Sequence, residues 1–408
     1  MKALVYHRSV PRYLLSQLVS RFNRKKFFPK VSPLALEDWP FSPPKGWATL
    51  TPLLCGICGS DVNLLKGHES FLLEPYASLP AVLGHEIVAK VDEAPEGSGF
   101  STGDRVAVEP VLPCETRNLP PCPQCAAGNY NLCSNFLSGD LPPGSFLGYN
   151  SAASGGMAER TAAHPSRMVR LPDSISDEDA ALIDSMASAL HPLLWSYPEN
   201  GQNVVVYGAG ILGQHVTRLL RALGSKARII AVARHRFQAE LCEAGGADMV
   251  LRSPDRKALA EAVGGHFIKT TLGGGNIEGG ADVFIDCVGN SRSVQEGLLA
   301  LRARGRYVMV GTASTLSKVD ASSIWFRELR LAGSAAYSQA PNPDNPQQYI
   351  NVYRKCVELL ASKSYATQGL ITHSFRLPEY KKAFAAAFDK GAYKSMKVVF
   401  DLRGSVPA

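Results

Sequence analysis

Residues 204–213 read VVVYGAGILG, and the fold turns on them. A β-branched run ends at Gly208. Gly208, Gly210 and Gly213 then stand in the spacing G-x-G-x-x-G, and the chain continues as ILGQHVTRLLRALG with helical periodicity. A strand that opens through such a turn into a helix makes a dinucleotide site. Gly208 permits the tight turn, Gly210 lets a pyrophosphate approach bare backbone, and Gly213 lets the helix pack on the sheet. Ile211 and Leu212 begin the helix whose N-terminus receives the phosphates. The motif alone is weak; the flanking strand and helix make it specific.

Working outward, RIIAVA, DMVLR, DVFIDCVG and RYVMVG alternate with helical stretches such as SVQEGLLALRARG. That alternation predicts an α/β domain with a doubly wound parallel sheet and helices on both faces. GGGNIEGG at 273–280 reads as a flexible connection and SQAPNPDNPQQ at 338–348 as a loop. Residues 1–110 mix short strand-like runs with glycine and proline, which predicts an irregular β-rich domain. Residues 111–150 are rich in Pro, Cys, Gly and Asn and read as an excursion held by something other than a core.

The second strand of the dinucleotide fold indicates which cofactor it takes. NAD-binding folds place an acid about 20 residues past the glycines to hold the ribose 2′-hydroxyl. Here that position is Ala233, followed by Arg234, His235 and Arg236, with no acid before Glu240. An acid would repel a 2′-phosphate, whereas guanidinium groups pair with it. The strand end therefore predicts NADP, with NAD as the alternative.

Three distant stretches offer ligands for one catalytic zinc: Cys58 in CGICGSD, His85 in GHE and Asp184 in ALIDSMASALH. Singly these residues are a small buried hydrophobe, a satisfied histidine and a helix cap. Thiolate, imidazole and carboxylate together suit a zinc that keeps its fourth position open. Zinc that polarises an oxygen, beside a nicotinamide that accepts hydride, means alcohol or carbonyl redox chemistry.

With these motifs in this order the chain resembles the zinc-dependent medium-chain alcohol dehydrogenases over nearly its whole length. The resemblance implies a mainly β, GroES-like catalytic domain at 1–185, a Rossmann domain at 186–335, and a return to the first domain at 336–408. It assigns the metal to Cys58 and not Cys55, and to His85. The third slot is Cys in some branches and Glu in polyol-type ones; Asp184 stands there, one methylene shorter. Glu86 is close enough in sequence to His85 to approach the metal transiently or through water. Ser60 is expected to hydrogen-bond the substrate oxygen and move its proton, and Asp61 to accept from the far ring nitrogen of His85. The family's relay histidine is replaced by Asn63, which cannot titrate, leaving water, the ribose or His68 to carry the proton.

The same resemblance reads Cys122-x2-Cys125-x7-Cys133 as three ligands of a structural zinc lobe, about 111–136, with Cys114 as a displaced fourth. A closed site of four thiolates would staple a loop with too few apolar residues to hold itself. Val288-Gly289 and Val310-Gly311 fall where strand ends flank the nicotinamide, and Lys397 where a basic residue often meets the pyrophosphate. His68, Phe136, Trp325 and Phe326 are candidates for lining the substrate pocket. Homo-oligomerisation, as a dimer or tetramer, is expected through edge strands of the cofactor domain, with RYVMVG as the apolar strand.

Composition bounds these expectations. A chain of 408 residues with 45% apolar content and no apolar run near 18 residues predicts two globular domains without a membrane partner. The net charge of +7 is local: residues 1–36 carry eight Lys/Arg and no acid, so the rest sums to −1. That is no nucleic-acid footprint. Leu15, Leu18, Val19 and Phe22 lie at helical spacing in the basic segment, as in a mitochondrial transit peptide, but the strand-like MKALVY precedes them. The segment reads instead as a helical excursion inside the first domain. Nine cysteines without a secretory signal favour metal ligands over disulfides and a reducing cytoplasm.

The leading expectation is a zinc-dependent NAD(P) oxidoreductase acting on a small alcohol or carbonyl compound, nearest the polyol and threonine dehydrogenase branches. A non-redox cyclase, eliminase or isomerase on the same fold, or a non-catalytic nucleotide-binding protein, stays open at this point.

Overall fold

The computed structural model describes residues 1–272, 274–312 and 315–404. The chain divides into two compact units, residues 1–184 with 371–408, and residues 185–370. The chain thus crosses back at Ile371, where the sequence places the return at 336.

In the first unit β1 (Lys2–Tyr6) pairs antiparallel with β2 (Leu34–Asp38), Tyr6 opposite Leu34. Between them the chain leaves the sheet to form α1 (Val10–Phe22), so the basic helix lies inside the fold as an excursion. Next come β3 (Ala48–Gly56), α2 (Gly59–Lys66), the short β4 (Ala81–Val82) against β1, and β5 (Glu86–Glu93). β3 is central to a seven-stranded sheet. Its neighbours are β5 on one side and Lys397–Asp401 on the other, and Thr161–Ala163 joins its start. Alternate β3 residues are buried from Ala48 to Leu54, the period a pleated strand imposes, and burial becomes continuous from Leu54 to Gly56. Leu50, Cys55, Ile87, Val106, Val108, Phe384 and Phe400 share its core.

The second unit carries six parallel strands in the order Met249–Arg252, Arg228–Ala233, Asn203–Tyr207, Ala281–Asp286, Leu301–Met309, Arg330–Gly333. Counted along the chain the order is 3-2-1-4-5-6, that of a dinucleotide-binding sheet. Val205, Ile230, Phe284 and Tyr307 fill one face. The expected strands are there, with four differences at the margins. LRARG, read as the end of a helix, instead opens the strand Leu301–Met309 after a helix Ser291–Ala300. Asn276–Glu278 in the glycine-rich stretch pairs with His266–Ile268, so it is a hairpin arm and not a flexible connection; Gly273 lies outside the described residues. The Pro/Asn/Gln stretch forms a hairpin of Gln339–Asn342 with Asn345–Asn351. RYVMVG lies inside the sheet, whose two edge strands are Met249–Arg252 and Arg330–Gly333.

Candidate active site and metal centres

The last pairs of β3 carry the chain to Gly56, and Ile57 donates its N–H to Val398 O at 2.9 Å. Cys58 then caps α2: its sulfur accepts from the Asp61 amide in the first turn, while its own N–H donates to Asp61 Oδ2 at 2.8 Å. This reciprocal capping fixes the thiol at a helix N-terminus, where negative charge is favoured. On the facing strand His85 precedes Glu86, which begins β5 directly opposite Gly56.

Ligand atoms of Cys58, His85 and Glu86 lie within 4.8 Å of one another. Glu86 is therefore the third member of the group, and Asp184 falls outside it. Asp184, on the first turn of the helix Ile183–Trp195, acts on His85 and Lys397 by charge but is not a member of the cluster. The donors fit zinc. His85 Nδ1 and Glu86 Oε1 are buried without a hydrogen-bond partner among the described residues, a costly state that a cation relieves. Zinc bonds of about 2.0–2.3 Å suit such a cluster.

Around the cluster the charges are strongly coupled. Burial alone would lower the His85 pKa, but Cys58 and Asp61 drive it well above its usual value. Asp61 Oδ1 is 4.0 Å from His85 Nδ1, so the expected hydrogen bond is not formed; the carboxylate serves the α2 cap instead. Burial raises the Asp61 pKa. Lys397 is buried and paired with Glu86 Oε2, which raises its pKa against the pull of burial. Gly56 makes the room, since a Cβ there would collide with Glu86 Oε2. His68 bonds Ser20 Oγ of α1 through Nε2 at 2.8 Å. Tyr149, which sequence reading missed, has its ring 5.7 Å from that of His85 and its hydroxyl 3.5 Å from Asp61 Oδ1. Burial, then Asp61 and Glu69, hold its phenol well above the usual range. No spacing signal marked it.

Four sulfurs, from Cys114, Cys122, Cys125 and Cys133, form a second cluster within the same 4.8 Å limit. Cys114 to Cys133 is 3.5 Å and Cys122 to Cys133 4.0 Å, too long for disulfides and close to the roughly 3.8 Å edge of a tetrahedral zinc–thiolate site. N–H groups of Cys122, Ser134 and Asn135 donate to these sulfurs at 3.3–3.4 Å. Cys114 thus sits with the other three despite its displaced spacing. Arg117, also unmarked by the sequence reading, is fully buried at the base of the lobe. It donates to the carbonyls of Leu112 (2.9 Å), Ser138 (3.0 Å), Leu141 (3.1 Å) and Gly144, tying both ends of the excursion together. Burial lowers its pKa, opposed by the charges of Cys133 and Cys114.

In the second unit Gly208 has φ +100° and a Cβ there would strike Val288; one on Gly213 would strike Gly208 O. Gly210 faces open space at the N-cap of the helix Ile211–Ala222, leaving the cradle that a pyrophosphate needs, with Ile211 and Leu212 in its first turn. Ala233 is buried at its strand end. Arg234 is exposed and makes no ion pair among the described residues, while Arg236 binds Glu240 at 2.7 Å. Val288-Gly289 and Val310-Gly311 adjoin: a Cβ on Gly311 would lie 2.5–2.8 Å from their backbone. Asp286 fixes this corner. Buried, it accepts from Val288 N (2.8 Å), Gly289 N (3.0 Å), Ser293 Oγ (2.7 Å) and Tyr307 OH (2.6 Å). Of the pocket candidates, Phe136 is buried edge-on to Tyr76, and Trp325 and Phe326 are exposed.

Comparison with known proteins agrees with this fold. Residues 44–173 match the alcohol dehydrogenase GroES-like domain and residues 212–356 the zinc-binding dehydrogenase family. A probable D-xylulose reductase A of Aspergillus terreus is 31% identical over 335 residues, covering 81% of this chain and 84% of its own. L-idonate 5-dehydrogenase of Vitis vinifera is 29% identical over 354 residues, covering 85% and 86%. The structure of L-idonate 5-dehydrogenase from Escherichia coli superposes with TM-score 0.73 at 20% identity over 98% of this chain and 97% of that one, which speaks for the fold. These matches favour hydride transfer over the non-redox and non-catalytic alternatives. The chain belongs to the zinc-dependent medium-chain dehydrogenase/reductase family and is an oxidoreductase acting on alcohol or carbonyl substrates with a nicotinamide cofactor.

Proposed function

We propose that the protein is a cytosolic, homodimeric polyol dehydrogenase or ketose reductase that prefers NADP and holds two zinc ions per chain. The observation that carries the polyol assignment is the donor set Cys58, His85 and Glu86, a thiolate, an imidazole and a carboxylate. The names of the relatives, a xylulose reductase and an idonate dehydrogenase, point to the same polyhydroxylated substrates. Asp184 acts from the rim of this site by charge.

When bound, zinc supplies a Lewis acid for the substrate oxygen and the nicotinamide a hydride acceptor. The chain's own residues do the rest. Ser60, on the first turn of α2, hydrogen-bonds the substrate oxygen and moves its proton. The Tyr149 phenol, kept protonated, faces the same turn and donates toward Asp61. Asn63 takes no proton, and His68 is engaged by α1, so the proton leaves by water or the ribose. Lys397 orients Glu86, a role that competes with the pyrophosphate contact expected of it. Gly208, Gly210, Gly213 and the Val288–Gly289 and Val310–Gly311 corner hold the cofactor. For the dimer, the exposed edge strand Arg330–Gly333, paired on one side only among the described residues, offers backbone that a second copy would cover.

Two measurements test this reading. The first compares kcat/KM for both cofactors, with a panel of polyols and ketoses, in wild type and Arg234→Ala. A charge-assisted pair is worth about 1.5–3 kcal/mol, so the variant should lose about 10- to 100-fold with NADP and little with NAD. A wild type that prefers NAD sinks the assignment. The second counts zinc in Cys125→Ser. Wild type should hold about two ions and the variant about one, with about 3 kcal/mol or more of stability lost, seen as a fall in Tm of roughly 6–12 °C. An unchanged zinc content would remove the lobe as a metal site.

A further inference from the structure

Helix α1 is turned inside out. Its inward face is polar: Ser16 and Ser20 are buried, and three of its side chains bond the segment after α2. Tyr13 OH donates to Glu69 O at 3.2 Å, Gln17 Nε2 to Gly67 O at 2.7 Å, and Ser20 Oγ meets His68 Nε2 at 2.8 Å. With its polar side anchored, the apolar side faces out. Val10, Leu14, Leu18 and Phe22, spaced four apart and so on one stripe, are 61%, 53%, 50% and 84% exposed. The stripe continues onto Phe71 and Leu72, 67% and 84% exposed, where the Phe71 ring meets that of Tyr13 at 5.8 Å. A globular fold ordinarily points such a stripe at its core. Contiguous exposed apolar surface marks an interaction site.

Charge indicates the partner. Arg8, Arg12, Arg21, Arg24, Lys25 and Lys26 are exposed at the flanks and end of the stripe. The nearby acids are Glu69 and Glu74, and Glu74 is already paired with Arg8 at 3.0 Å. We propose that α1 docks the enzyme on an anionic bilayer surface, its apolar stripe dipping into the headgroup boundary and its cations meeting lipid phosphates. A helix that is apolar on one side and basic around it lies in the interface plane, and Lys and Arg near an anionic leaflet add to the binding. This departs from the sequence expectation of no membrane partner, which rested on the lack of an apolar run long enough to cross. No helix among the described residues is long and apolar enough to cross, and 13 residues span only about 20 Å. A second copy is the poorer occupant, because a two-fold contact would set the same cations against themselves.

The test is co-sedimentation of the full-length, cofactor-loaded enzyme with vesicles of phosphatidylcholine alone or with about a third phosphatidylglycerol. Wild type should pellet with the anionic vesicles only, and release by about tenfold or more in 1 M salt, where screening is short-ranged. Leu18→Gln/Phe22→Gln should abolish pelleting, and Arg21→Glu/Lys25→Glu should cut it at least about tenfold. Neither variant should alter Tm or turnover in solution, since all four side chains are exposed. Wild type that stays in the supernatant, or variants that pellet as wild type does, would overturn the proposal. So would vesicle-independent oligomers that Leu18→Gln/Phe22→Gln dissolves in light scattering, which would assign the stripe to a protein contact.

Discussion

Cys58→Ser is expected to lose about a thousandfold or more in kcat/KM while folding normally. Polarisation of the substrate oxygen by zinc accounts for several kcal/mol of transition-state stabilisation, and each 1.36 kcal/mol is a factor of ten. Cys58 is the one soft donor of its cluster, and its backbone role in capping α2 survives substitution because Asp61 accepts from the Cys58 N–H, not from its sulfur. Serine can also accept from the Asp61 amide, so the helix start is kept. Zinc should fall from about two to about one per chain, with the remaining ion in the four-cysteine lobe. Asp184→Ala makes the comparison informative. Outside the ligand group, it should cost less, about 10- to 100-fold, the range of a residue that acts on a metal site through its ligands. If Asp184→Ala empties the site and Cys58→Ser does not, the ligand set drawn from the geometry is wrong.

That comparison also marks where sequence stopped being sufficient. The parallel sheet was legible because VVVYGAGILG and the runs after it carry strand and helix periods that each need only local residues to read. The four-cysteine lobe was legible even with Cys114 displaced, since thiols in a loop without a core have few other uses. Glu86 against Asp184 was not decidable from spacing. Glu86 reaches the group because β3 brings Gly56 opposite Glu86, a long-range pairing no window of sequence contains. Arg117, Tyr149 and Asp286 were missed for a related reason. Each is a polar group whose purpose is set by buried carbonyls, carboxylates or amides that arrive from elsewhere in the chain. α1 shows the reverse hazard: its pattern is correctly read as an amphipathic helix, but the face that turns inward is the polar one, chosen by hydrogen bonds to residues 67–69.

Lys397→Ala is expected to destabilise the metal-free protein by about 3–5 kcal/mol, the cost of breaking a buried ion pair from one side. Lys397 and Glu86 are 2% and 1% exposed, and the site that holds them is closed by Gly56. Removing the ammonium leaves the Glu86 carboxylate in low dielectric beside Asp61, which carries the same charge. By the same physics the double variant Glu86→Gln/Lys397→Met should recover most of the loss, since neither member is then charged and alone. Added zinc separates the two partners of Glu86. With the ion present, the carboxylate keeps a cationic neighbour through Oε1, the oxygen without a hydrogen-bond partner, and the gap between wild type and Lys397→Ala should narrow. Denaturant unfolding of both proteins, with and without zinc, measures this directly. A gap that zinc leaves unchanged would mean that Glu86 serves Lys397 alone, and the third ligand would have to be sought again at Asp184.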